Sequence, residues 1–203
     1  MRTTRIALGA LLMAAVLTTG ACATGDDAVI AGPETFEFIS PDGQVEIYYD
    51  PPAERKPIAD IVGPDLLDPD TTLNLQEDHA GEVVVLNTWG QWCGPCRAEV
   101  DDLQRIQDEY GPQGATVFGI NLRDPNRQKP VDFVTDNNVT YPSIWDPSNA
   151  AVGALRGFPT SVVPTTLILD KQHRVAAVFL VEITDDKLTD TIEKLLAEGG
   201  EPV

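Results

Sequence analysis

An α/β fold, with a mixed central sheet flanked by helices and extended at its N-terminus by a β-hairpin, is what the apolar pattern of this 203-residue chain predicts. Three observations carry that expectation. VVVLNTW (83–89) and ATVFGIN (115–121) are continuous apolar runs rich in β-branched residues, the pattern of strands buried on both faces. Between them Val100, Leu103, Ile106 and Tyr110 recur at helical spacing up to Gly111, completing a βαβ unit. VPTTLILD (163–170) and RVAAVFLV (174–181) alternate on either side of Lys171, Gln172 and His173 and pair naturally as antiparallel strands, which makes the sheet mixed.

Residues 1–21 read as an export signal: Arg2 and Arg5 precede the uncharged run Ile6 to Leu17, too short to span a membrane comfortably, and small residues follow. TTGAC (18–22) resembles a bacterial lipobox, which would leave Cys22 as an acylated N-terminus. Thr19 stands where such boxes usually carry an aliphatic residue. The small pair Ala21 and Ala23 offers the other route, an ordinary signal-peptidase cut that discards Cys22. Lipidation is preferred, because acyl chains supply a retention that the short apolar run cannot. Residues 22–35 are small and polar, a tether, and the folded domain is expected over 36–203.

Within that domain TFEFISPDGQVEIYYD (35–50) alternates about Pro41 to Gly43, the signature of a hairpin. The proline-dense stretch after it suits neither a helix nor a central strand. A short helix is expected around Val131 to Asn137 and a strand over TYPSIW (140–145). The C-terminal helix is expected to start at a Thr184 cap with an acidic first turn, and to bury Leu188, Ile192 and Leu195.

Charge narrows the partners. The chain has 14 Lys and Arg against 32 Asp and Glu, a net −18, which becomes −20 once Arg2 and Arg5 leave with the signal. Such a surface excludes nucleic acid and is repelled by anionic lipid headgroups, so membrane contact would come through the anchor. A monomer is expected.

Of the three cysteines, lipidation or removal of Cys22 leaves one pair, Cys93 and Cys96, in NTWGQWCGPCRAEV (87–100). A bridge closing so short a loop does little to stabilise a fold. Zinc needs four ligands, and only His79 and His173 accompany this pair, neither at finger spacing. Copper carriage wants further soft ligands, and both methionines, Met1 and Met13, lie in the signal. No cofactor is expected beyond a redox-active Cys93–Cys96 disulfide.

Dithiol exchange needs one thiolate to attack a foreign disulfide and a second, close by, to release the mixed disulfide. A two-residue spacer at a helix start meets both needs. Cys93, at an exposed first turn, would gain from unpaired N–H groups and the helix dipole, while Cys96, one turn on and more buried, would resolve. Pro95 fits because the first helical turn needs no donor from it. Trp92, Gly94 and Pro95 form the surface a substrate would meet, although Trp92 is equally compatible with plain packing. Glu99, three residues after Cys96, is either a proton acceptor for the pair or an exposed helix glutamate.

WCGPC at a strand-to-helix junction, Glu99 beyond it, VPTT some seventy residues later and an exported N-terminus together resemble the TlpA/ResA-type thiol:disulfide oxidoreductases over about residues 36 to 198. The resemblance implies a thioredoxin-like fold held on the outer face of the cytoplasmic membrane. It implies that Cys93 attacks, Cys96 resolves and Glu99 is the acid of the site. Pro164 would be the cis-proline facing the dithiol, with the Val163 backbone before it free to pair with an extended substrate; Pro159 is the competing candidate. The resemblance further implies reduction of protein disulfides, with apocytochrome c as client and a membrane electron donor of the CcdA type. An exported oxidase or peroxiredoxin-like peroxidase is the rival enzyme, and a copper carrier the rival without enzymatic activity. Two departures stand out. Asn87 occupies the strand position where cytoplasmic-type thioredoxins bury an Asp, and His173 stands where relatives often have Gly.

Overall fold

A computed structural model of the protein describes residues 35–39 and 43–198. The export signal, Cys22 and nearly all of the tether lie outside them, as do residues 199–203.

Strands β4 (Val83–Trp89) and β5 (Ala115–Leu122) are parallel, buried throughout, and form the centre of the sheet. β6 (Ser143–Asp146) extends it parallel to β5, while β7 (Thr165–Leu169) lies antiparallel to β4 and β8 (Val175–Phe179) antiparallel to β7. With β1 (Glu46–Tyr48) at the edge the order is β1-β8-β7-β4-β5-β6. β2 (Val62–Pro64) and β3 (Thr72–Asn74) make a separate two-stranded ribbon followed by the single-turn helix α1 (Leu75–Asp78).

The two-residue period of a strand divides the core. Val83 and Val85 face α3 (Val100–Tyr110) and α5 (Asp185–Ala197), packing on Leu103, Ile106, Leu188 and Ile192. Val84 and Leu86 face the opposite layer, where Phe36, Phe38, Ile58, Ile61 and Val152 cover Phe118 and Leu167. Each fully buried side chain of this size contributes about 1.5–3 kcal/mol. The same alternation turns Asn87 toward the α3 side and Trp89 toward the cysteines, which positions the site.

Of the two predicted N-terminal arms the second is strand β1, while the described part of the first is extended chain with a single bridge from Glu37 to Arg156; their described residues pair with the sheet and its loops, not with each other. Ile47 lies opposite Val178, and Tyr48 sets its ring edge-on to Phe179 at 5.8 Å, so β1 closes an edge of the sheet that β8 would otherwise leave open. The Phe38 N–H donates to the Arg156 carbonyl at 2.9 Å, beside Gly157 at φ +70°, where a side chain would sit 2.4 Å from the Phe38 carbonyl oxygen. Pro41 and Asp42 of the predicted turn lie outside the described residues.

Helix α4 (Gln128–Asp136) begins three residues earlier than expected. Pro130 falls in its first turn, where no N–H is needed, and Asn126 Oδ1 accepts from the Gln128 N–H at 3.1 Å. Thr184 caps α5 by backbone position only. Its side chain makes no capping bond, and Arg105 of α3 instead donates to Asp185 at 2.7 Å. At the β7–β8 turn His173 takes φ 53°, and its Nε2 lies 3.0 Å from the His79 carbonyl oxygen.

Candidate active site

The expected single helix after CGPC is two: α2 (Gly94–Ala98) and α3, broken at Glu99, whose ψ of −6° leaves helical geometry. α2 starts directly beyond the carboxyl end of β4, where α/β sheets present their ligands. Cys93 is its N-cap, with Sγ accepting from the Cys96 N–H at 3.2 Å. Pro95 falls in the first turn, as expected. Cys93 and Cys96 are joined in a disulfide with Cα atoms 5.3 Å apart.

The expectation that Cys93 is exposed and Cys96 more buried is corrected: Cys93 is 5% exposed and Cys96 4%. Leu66, Trp89 and Val134 pack around the pair, and the Val163 carbonyl oxygen sits 3.6 Å from Cys93 Sγ, closing the approach from that side. The exposed residues are instead Gly94, Pro95 and Trp92, the last 45% exposed. The Val163–Pro164 bond is cis, as the resemblance implied; the Phe158–Pro159 bond is not, whereas Asp50–Pro51, which no sequence feature singled out, is.

Glu99 is 1% exposed, which removes the exposed-helix alternative. Its Oε1 accepts from Asn87 Nδ2 at 2.8 Å and its Oε2 from the Ile183 N–H at 3.1 Å. Asn87 also donates to Thr166 Oγ1 at 3.0 Å. Burial pushes the Glu99 carboxyl up to about 7 despite these two hydrogen bonds, with the charges of Glu182 and Asp102 adding to the rise. Asn87 and Cys96 line the same narrow gap with Trp89 and Tyr141, too small to hold a water. The amide that binds Glu99 therefore reaches the wall against which Cys96 lies, in the place a buried Asp would occupy. The signal for Glu99 was available in the helical stripe, since Cys96, Glu99 or Val100, Leu103 and Ile106 fall on one face.

Sequence reasoning missed a second set of polar groups. Asp124 is buried just after β5; its Oδ2 accepts from the Gln91 N–H at 3.1 Å and from Asn121 Nδ2 at 2.9 Å, and its Oδ1 from Gln91 Nε2 at 3.3 Å. These bonds hold the loop that leads into Cys93. Parallel pairing, with Trp89 opposite Asn121, brings the segments after β4 and β5 side by side. Trp92 is held by a bond from its Nε1 to the Leu122 carbonyl at 3.1 Å, and the Arg123 guanidinium lies 4.5 Å from its ring.

The histidines lie elsewhere. His79 Nδ1 lies 2.9 Å from Glu82 Oε2, at the opposite end of β4 from the cysteines, and His173 contacts the His79 carbonyl there. Among the described residues no group of three or more His, Cys, Asp or Glu is placed to hold a metal, and no helix is long and apolar enough to cross a membrane.

Residues 56–178 match the AhpC/TSA family. The thiol-disulfide oxidoreductase ResA of Geobacillus thermodenitrificans is 27% identical over 120 residues, 58% of this chain and 66% of that protein, so the chain spans about two thirds of this relative's length. The thiol:disulfide interchange protein DsbE of Allochromatium vinosum is 29% identical over 155 residues, covering 74% and 81%. The crystal structure of a secreted thiol-disulfide isomerase from Corynebacterium glutamicum is 50% identical with a TM-score of 0.78, covering 82% of this chain and all of that one. The fold is thioredoxin-like, as the resemblance implied.

Proposed function

The chain belongs to the AhpC/TSA family, and for a member whose helix-capping Cys93–Cys96 disulfide lies beside a buried carboxyl we infer that it is a thiol:disulfide oxidoreductase working on protein disulfides. In the reducing direction the Cys93 thiolate attacks one sulfur of a client disulfide. The client S–S bond breaks, its other sulfur leaves as a thiolate, and Cys93 is left in a mixed disulfide. Cys96 then attacks Cys93 Sγ, which releases the second client thiol and forms Cys93–Cys96. Two electrons pass to the client, whose two thiolates take their protons from solvent. Glu99, bonded to Asn87 on the wall that Cys96 faces, takes up the proton that Cys96 loses and gives it back when the Cys93–Cys96 disulfide is next reduced.

The observation that carries the direction is Glu99. Once ionised, above about pH 7, the buried Glu99 carboxylate raises the cost of a thiolate in the pair, which stabilises the disulfide relative to the dithiolate and favours a reductant. The ResA and DsbE relatives support the same activity. For peroxidase chemistry a lone acidic thiol beside Thr and Arg is wanted, whereas Cys93 Sγ is bonded to Cys96 and faces the Val163 carbonyl. The finer reading is an extracytoplasmic lipoprotein anchored through Cys22 to the outer face of the cytoplasmic membrane, reducing apocytochrome c with electrons from a CcdA-type donor. Trp92, Gly94, Pro95 and the Val163 backbone meet the client, with Pro164 behind them. The second reading, a released isomerase or oxidase, is favoured by the 50% identity to a protein described as a secreted isomerase.

The test is the potential of the Cys93/Cys96 couple together with the pKa of Cys93. A reductant lies near the thioredoxin value of about −270 mV; a couple near about −120 mV with a strongly acidic Cys93 overturns the reductase reading and supports the oxidase.

A further inference from the structure

The cations of this strongly acidic chain are unevenly used. Arg55, Arg105, Arg174, Lys187 and Lys194 are each paired with carboxylates. Arg97 and Arg123 have no carboxylate partner among the described residues, and both stand next to the dithiol. Arg97 is exposed on α2, one turn beyond Cys93, at an open hollow of about 540 Å³ that Gln91, Gly94, Phe133 and Asn137 also line. Arg123 is exposed and meets the Trp92 ring. The nearby Asp124 is buried, its oxygens accept from Gln91 and Asn121, and it makes no ion pair with either guanidinium. Arg127 is a third cation near the cysteine cluster, although its charge also acts on the Asp68 carboxyl. It donates to the Leu66 carbonyl at 2.9 Å, next to the cysteine cluster, and lies 5.4 Å from the Trp145 ring.

We propose that this basic rim is a docking surface for an extended client segment that carries Asp or Glu beside its reactive cysteine. The proposal rests on the oxidoreductase reading and adds the client's charge. The net charge of −18 predicts the reverse preference, for basic clients, so the two are separable. Unpaired guanidiniums also suit such docking, because they offer planar forks to carboxylates without first breaking an internal ion pair. The hollow beside Gly94 gives a client carboxylate a place within reach of Arg97 while its sulfur meets Cys93.

The experiment uses the reduced mature protein and three synthetic disulfide peptides of one sequence, flanked by acidic, basic or neutral residues, with exchange rates taken at low salt and at about 0.5 M salt. The acidic peptide is expected to react about tenfold faster than the basic one at low salt, with the two converging at high salt. The double variant R97E/R123E inverts the order. K187E, the same charge reversal at the far edge of the sheet, where Lys187 pairs with Glu46, leaves the order unchanged. Equal rates, or a faster basic peptide with wild-type protein, overturn the docking proposal while exchange itself stands. Failure of the neutral peptide to exchange overturns the oxidoreductase reading and takes the docking proposal with it.

Discussion

Replacing Glu99 by Gln isolates the buried carboxyl without emptying its site. The Gln oxygen can keep the bond from the Ile183 N–H, while its amide donates to Asn87 once that side chain turns over to present its oxygen; Thr166 then donates instead of accepting. What the change removes is the charge. In the folded protein the Glu99 carboxyl is raised from an ordinary 4.5 to about 7, so the folded chain binds its proton more tightly than the unfolded chain does. Stability is therefore greatest below about pH 4.5 and falls as pH rises through about 7. At about 1.4 kcal/mol per pH unit the loss is about 3 kcal/mol. E99Q should match wild type near pH 4.5 and exceed it by about 3 kcal/mol near pH 8. Urea unfolding of the oxidised protein across that range measures the difference directly. In the reduced protein, Cys96 alkylation should lose an inflection near pH 7, and exchange with a peptide disulfide should slow. Wild-type and E99Q stability curves running parallel from pH 5 to 8 would refute the assignment, because a carboxyl that titrates there cannot be removed without changing the slope.

Two further outcomes concern other buried polar groups. Asp124→Ala leaves the Gln91 N–H and the Asn121 amide without their acceptor; a loss of about 2 kcal/mol in urea unfolding is expected, with slower peptide exchange, and Asp124→Asn should recover part of both. Arg55→Ala removes a buried guanidinium that donates twice to Glu198, at 2.6 and 2.9 Å, and once to Asp170, and should cost about 3 kcal/mol at neutral pH. The Arg55 bond holds the Glu198 carboxyl below its ordinary 4.5, so its stabilisation is present above that value and lost as pH falls through the folded pKa. The gap between wild type and Arg55→Ala should therefore narrow in acid.

Much of the fold was legible because its central elements carry complete local patterns. VVVLNTW and ATVFGIN are buried along their whole length, and Val100, Leu103, Ile106 and Tyr110 are the buried face of α3. The two cysteines and Pro95 were legible for the same reason, since a helix start imposes its own residue requirements within four positions. α4 begins three residues before the expected start because Pro130 is harmless in a first turn, where its missing N–H is not needed. The N-terminal arms were misassigned to each other because alternation specifies a strand but not its partner, and an open edge on β8 competes with any local hairpin.

Residue spacing within one segment thus settled the central strands and the helices beside them, where the dithiol lies, and that Glu99 follows Cys96 by about one turn. Closure of the sheet decided the rest. It buried Cys93 under Val163, seventy residues away, set Glu99 between Asn87 and the Ile183 backbone, and brought Asp124 to the loop before Cys93. It also left Arg97 and Arg123, at the rim of the dithiol, with no carboxylate partner among the described residues. Such groups acquire their environment only when distant strands align, because burial, hydrogen-bond partners and the pKa they produce are properties of packing and not of sequence spacing.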